Sequence, residues 1–143
     1  MRWASLFLFI SSLAWAQAGV MEIFDADRFE AFVRQDRTIL LHFGGMGCSA
    51  CDAQESALKQ LAENADVLTP IIFVADLRTE PELGRRHRVR SAGTILLFKG
   101  ETLIGRSAGL LGADEIRSFI RESRINGRGR PGPRAKREYR PKR

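Results

Sequence analysis

The chain carries two cysteines, and both lie in one short motif, Cys48-Ser49-Ala50-Cys51. Residues three apart on a helix are neighbours, with Cβ atoms ~5–6 Å apart, near the span a disulfide bridges. An aliphatic stretch ends just before the motif, and a run of helix formers without Gly or Pro follows it. Cys48 is therefore expected at a helix N-terminus, where unpaired N–H groups and the positive end of the dipole stabilise a thiolate. The thiolate is the nucleophile of thiol–disulfide chemistry. Cys51, one turn in and less exposed, is placed to attack a mixed disulfide at Cys48 and release the partner. Two plainer readings use the same atoms: a static disulfide, whose tiny loop stabilises little, and a pair of inert thiols. The strand-to-helix setting favours a reversible couple. The Cys48–Cys51 disulfide is then the redox group, and no separate cofactor is expected.

Three other features lie near the motif. His42 sits in the preceding aliphatic run and has three readings: a strand histidine satisfied by a hydrogen bond, a proton-transfer partner for Cys51, or a third metal ligand. In the last case Cys48, Cys51 and His42, with Met46 assisting, form a soft site suited to Cu(I). Gly44-Gly45-Met46-Gly47 lacks the Lys-Ser/Thr of a phosphate loop and the spacing of a dinucleotide fingerprint. It reads as a turn that leaves Cys48 uncovered, with Met46 as an apolar contact for a partner. His87, in Arg85-Arg86-His87-Arg88, reads as part of a solvated face. No serine–histidine–acid arrangement or paired-carboxylate site is suggested.

The elements that must hold the motif follow from periodicity. Asp25 is a good N-cap for a helix over 25–35, with Phe29, Phe32 and Val33 on one face. Residues 38–43 read as a strand covered on both sides, and 48–64 as a helix with Ala57, Leu58, Leu61 and Ala62 on its stripe. Strands follow at 71–75 and 94–98, separated by a short helix at 80–87. Lys99-Gly100-Glu101 turns the chain into a fourth strand at 102–107. Gly112 precedes a last helix with Ile116, Phe119 and Ile120 on its buried face. Alternating helices and strands imply crossovers and parallel pairing, and the final hairpin adds an antiparallel edge. The expected fold is α/β: a three-layer α/β/α sandwich around a mixed four-stranded sheet, which ~105 residues suffice to build.

Composition limits the alternatives. With 143 residues, 44% apolar and 28% charged, the chain is one ordinary globular domain with short appendages. Two cysteines cannot make a disulfide-dense scaffold or a four-cysteine zinc site. Residues 1–18 have the positive start, the apolar stretch Leu6–Ala16 and the Ala16-Gln17-Ala18 ending of a cleaved signal peptide. A periplasmic or secreted protein beginning at Gly19 is therefore expected. Residues 121–143 hold ten Lys/Arg and two acids, so the +6 net charge belongs to this end and the body from 19 to 120 is mildly acidic. Residues 125–143 are too polar to offset ordering entropy and read as a disordered basic tail. The tail suits an anionic membrane surface or an acidic partner; export argues against nucleic acid. A monomer is expected.

The segments TILLHF, GGMG, CSAC, IIFVADL and RVRSAGTILLFKGETLIGRSAGL resemble the thioredoxin family, and residues 25–124 cover nearly its whole fold. The thioredoxin-like domain is accordingly drawn at 19–124. The resemblance implies thiol–disulfide exchange with protein thiols and disulfides, with Cys48 attacking and Cys51 resolving. It also implies that Ala92-Gly93-Thr94 is the loop that docks the substrate chain by backbone pairing. Three positions depart from the family's pattern. Gly47 replaces an aromatic residue, His42 replaces a buried acid, and Gly93 replaces a cis-proline. An exported thiol–disulfide oxidoreductase is the reading these observations favour. A thioredoxin-fold copper carrier on the same cysteines and a redox-silent adaptor are the alternatives.

Overall fold

The computed structural model describes residues 19–127. The expected signal peptide and the basic residues after Gly127 lie outside them. In chain order the elements are β1 (Met21–Ile23), α1 (Ala26–Arg34), β2 (Thr38–Gly44), α2 (Ser49–Glu63), β3 (Ile71–Asp76), α3 (Pro81–Arg86), β4 (Thr94–Lys99), β5 (Thr102–Ala108) and α4 (Ala113–Gly127). The last helix runs three residues past the expected domain boundary at 124.

The sheet has five strands in the order β1-β3-β2-β4-β5, not four. The additional strand, β1, pairs parallel to β3 at the edge, Met21 opposite Ile72 and Ile23 opposite Val74. Three residues with an 85% exposed Ile23 show no alternation, so nothing local marks them as a strand; the free edge of β3 recruits them. A second difference concerns direction. β2 and β3 are parallel, but β4 runs antiparallel to β2, with Phe43 opposite Thr94. The six residues of α3 rise only about 9 Å, too little to carry the chain back along a strand of about 20 Å. The connection therefore starts and finishes at one end of the sheet, the end where β2 runs into the cysteine motif.

Both faces of the sheet are covered. Along β2, Ile39, Leu41 and Phe43 join Phe73, Leu96 and Phe98 in a core that α1 closes with Phe29, Phe32 and Val33. Leu40 joins Ile72, Ile95 and Leu97 under Leu58 and Leu61 of α2 and Ile116 and Ile120 of α4. Period-two alternation assigns the intervening residue His42 to this second face. Local chemistry starts the helices as expected. Asp25 Oδ1 accepts the Arg28 N–H at 2.9 Å, and Glu115 reaches back to accept from the N–H groups of Leu111 and Gly112 ahead of α4. β5 lies against α4 because Gly105 has no side chain. A Cβ there would stand 2.3 Å from Ser123 Oγ and 2.9 Å from the Phe119 ring.

Candidate active site

At the C-terminal end of β2 the chain turns through Gly45, Met46 and Gly47 and enters α2 at Cys48. Gly47 has φ +77°, a conformation glycine adopts freely. Cys48 is the N-cap residue of α2. The two cysteines form a disulfide with Cα atoms 5.2 Å apart. Cys48 Sγ accepts the Cys51 N–H at 3.1 Å, so a donor is already aimed at the sulfur that becomes a thiolate on reduction. Cys48 is half-buried, whereas Cys51 is 1% exposed. A thiol arriving from solvent can reach the first sulfur and not the second. Met46 stands beside the motif 79% exposed.

Beneath the motif lies a buried polar path. His42 and Gln54 are both fully buried. The Gln54 side-chain amide donates to the Gly93 carbonyl at 3.0 Å, so its oxygen faces His42 Nε2, also at 3.0 Å. An oxygen acceptor there requires Nε2 to carry the proton. His42 Nδ1 is then a lone pair, and it has no hydrogen-bond partner. The nearest carboxylate, Glu55 Oε1, is 4.0 Å away, too far for a hydrogen bond. Burial pushes the imidazole pKa below its ordinary value, with smaller opposing effects from Gln54 and Glu55. His42 is thus a neutral base with one nitrogen committed and one open.

The loop at 92–94 approaches from the far side. A Cβ on Gly45 would lie 3.2 Å from the Ala92 methyl. Gly93 is buried, its N–H donates to Phe43 O at 2.7 Å, and its φ is +82°. The described residues contain no cis peptide bond. Thr94 is buried and its hydroxyl donates to Ser91 O at 2.8 Å.

The structure therefore brings Cys48, Cys51 and the 92–94 loop to one end of the sheet, with His42 below. Among the described residues no group of three His, Cys, Asp or Glu side chains is placed to hold an ion. Of the two His42 nitrogens, Nε2 faces Gln54 and Nδ1 has no hydrogen-bond partner. His87 also differs from its reading as a solvated residue. It is half-buried with its ring edge-on to Phe98, centroids 5.2 Å apart. Burial and the charges of Arg86 and Arg106 lower its pKa to about 4. The short α3 ends by turning His87 onto the sheet, which a run of arginines in sequence conceals. Gln54 was not singled out from sequence. Its signal was there, because it is the polar member of the buried stripe Cys51, Gln54, Leu58, Leu61.

The thioredoxin family model matches residues 20–122, most of the chain. The chain belongs to the thioredoxin family. A bifunctional thioredoxin reductase/thioredoxin of Mycobacterium leprae is 31% identical over 97 residues, which span 66% of this chain and 21% of that protein. The match thus takes in about a fifth of the relative's length. Among solved structures, Trxlp from Edwardsiella tarda superposes with TM-score 0.62 at 20% identity, covering 70% of this chain and 97% of that one. The reduced thioredoxin pre-protein of Schistosoma mansoni gives 0.62 at 17% identity, covering 73% and 98%. These neighbours share the thioredoxin fold: a mixed α/β structure with a central sheet and flanking helices. Within this thioredoxin-like chain the cysteine pair opens α2, and glycine stands where the family carries its cis-proline.

Proposed function

We propose that this protein is a thiol–disulfide oxidoreductase acting on protein partners through Cys48 and Cys51. The observation that carries the reading is the asymmetry of the pair: Cys48 half-buried at a helix N-cap with an N–H on its sulfur, Cys51 1% exposed. In the reducing direction the Cys48 thiolate attacks one sulfur of a partner disulfide. A Cys48–partner disulfide forms and the partner's other sulfur leaves as a thiolate. Cys51 loses its proton and attacks Cys48 Sγ. The Cys48–Cys51 bond forms, the second partner thiolate leaves, and two electrons have passed to the partner. Oxidation of a partner dithiol is the same sequence reversed, beginning with attack on Cys48 of the disulfide form. His42, neutral and with Nδ1 open, is the base we assign to the Cys51 proton.

The same reading covers location. The 1–18 segment supports export to a periplasmic or extracellular space, where a disulfide can persist. Gly19, the expected first mature residue, already donates its N–H to Ala62 O at the end of α2. The basic residues 125–143 suit attachment to an anionic membrane surface.

The test is a pair of variants assayed with a protein disulfide. Cys48→Ser abolishes exchange, and Cys51→Ser accumulates a mixed disulfide visible on a non-reducing gel. Full activity in both variants would sink the reading. Mass spectrometry of the exported protein beginning at Gly19 supports the location; retention of residues 1–18 refutes it.

A further inference from the structure

We propose that Gln54 is the positioning residue of the 92–94 docking loop: buried on the helix that carries both cysteines, it ties the Gly93 carbonyl to that helix and, through its own oxygen, to His42 on β2. The inference rests on the proposed exchange with protein partners. It begins from a conflict within the loop. A loop that pairs its backbone with an incoming chain must be rigid, or ordering it subtracts from binding. Glycine at its centre supplies the least rigidity of any residue. Proline cannot be the remedy here. Its φ is fixed near −65°, while Gly93 has φ +82° and spends its N–H on Phe43 O.

The restraint comes from outside the loop instead. Gln54 Nε2 donates to Gly93 O at 3.0 Å, and the Gly109 N–H shares that acceptor at 3.3 Å. Gln54 is fully buried, so water does not compete for the bond. The opposite end of the same amide accepts from His42 Nε2 at 3.0 Å. Few side chains can do both jobs. An amide donates and accepts at fixed separation, an ionised carboxylate only accepts, and a thioether does neither usefully. A Cβ at position 93 would lie 3.4 Å from Gln54 Oε1, so the loop and the amide are in close register. The arrangement links the loop to the cysteine helix without touching either sulfur.

These properties make Gln54→Met and Gln54→Leu diagnostic, since both remove the bond to Gly93 and the acceptor for His42. Gln54→Glu, whose buried carboxyl is held protonated, keeps an O–H donor for Gly93 and an acceptor for His42 and is the rescue control. Two measurements are made on each: amide hydrogen exchange at Gly93 and Thr94 by NMR, and kinetics with insulin as a protein disulfide beside oxidised glutathione as a small one. Loss of one or two buried hydrogen bonds is expected to speed loop amide exchange by about tenfold in Gln54→Met and Gln54→Leu. In these two variants KM for insulin is expected to rise about tenfold, and the first attack on oxidised glutathione, which forms the Cys48 mixed disulfide and uses neither His42 nor Cys51, to stay within about twofold of wild type. Unchanged amide exchange in Gln54→Met and Gln54→Leu overturns the proposal. An equal loss on insulin and glutathione also overturns it, since that marks a general defect of fold or thiol. A wild-type protein that reduces neither substrate and, in its disulfide form, oxidises no reduced protein dithiol refutes the exchange reading, and the amide data then decide the role of Gln54 by themselves.

Discussion

The two faces of the sheet are built from alternate residues of the same strands, yet they are unlike. The face under α1 and α3 is apolar and aromatic, with Phe73 ringed by Phe24, Phe29 and Phe32 at centroid distances of 5.6–6.2 Å. The face under α2 and α4 has the same aliphatic base but admits His42 and Gln54, both fully buried. Buried polar groups cost free energy unless bonded, and one of these atoms, His42 Nδ1, is unpaired. The first face therefore supplies stability. The second surrenders some of it near the cysteines, which is where an open base and a tethered loop have a use. Adjacent residues in one strand serve different ends because the pleat sends them to opposite sides.

The contrast can be broken by substitution. Phe73→Ala should have the largest effect on folding, about 3–5 kcal/mol by denaturant unfolding, from lost burial and the cavity left behind. The exchange rate of the protein still folded should stay near wild type; a rate collapse would mean that the faces are not separable. Gly93→Pro comes next, at roughly 2–4 kcal/mol. It forces φ away from +82° and orphans Phe43 O. A stabilised variant would show that the loop accepts the family's usual proline. His42→Leu should cost only ~1 kcal/mol, because the lost bond to Gln54 is offset by removing an unsatisfied nitrogen. Its signature is kinetic. Resolution of the Cys48 mixed disulfide should slow by roughly tenfold or more, and an unchanged rate would reduce His42 to a filler.

Stability also depends on pH. The unfolded chain binds a proton at His87 near pH 6.5, but the folded protein only near 4. Stability is thus complete above about 6.5 and declines as pH falls toward 4, by roughly 1 kcal/mol at pH 5.5. His42, lowered by burial, adds in the same direction. Urea midpoints from pH 7 to 4.5 should show the decline, and His87→Phe, which keeps a ring against Phe98, should flatten it. An equal slope in that variant would assign the whole effect to the second face.

Much of this protein was legible from local chemistry. The C-x-x-C spacing, the strand before it, the helix after it, the N-cap at Asp25 and the Lys99-Gly100-Glu101 turn are matters of residue type and period. They need no distant partner to be read, and the helix boundaries at 26–34, 49–63 and 81–86 follow them closely. The rest required the chain to meet itself. β1 is a strand because β3 has a free edge. β4 runs antiparallel to β2 because α3 is too short to carry it back. His87 is half-buried because a run of arginines ends against Phe98. The polar path from His42 through Gln54 to Gly93 joins residues 12 and 39 apart in sequence. Sequence alone could place two sulfurs at the start of a helix, since that geometry is set within one turn. Which atoms lie beneath them, and in what protonation state, was decided by packing between a strand, a helix and a loop, because hydrogen bonds across such separations exist only once the core has closed.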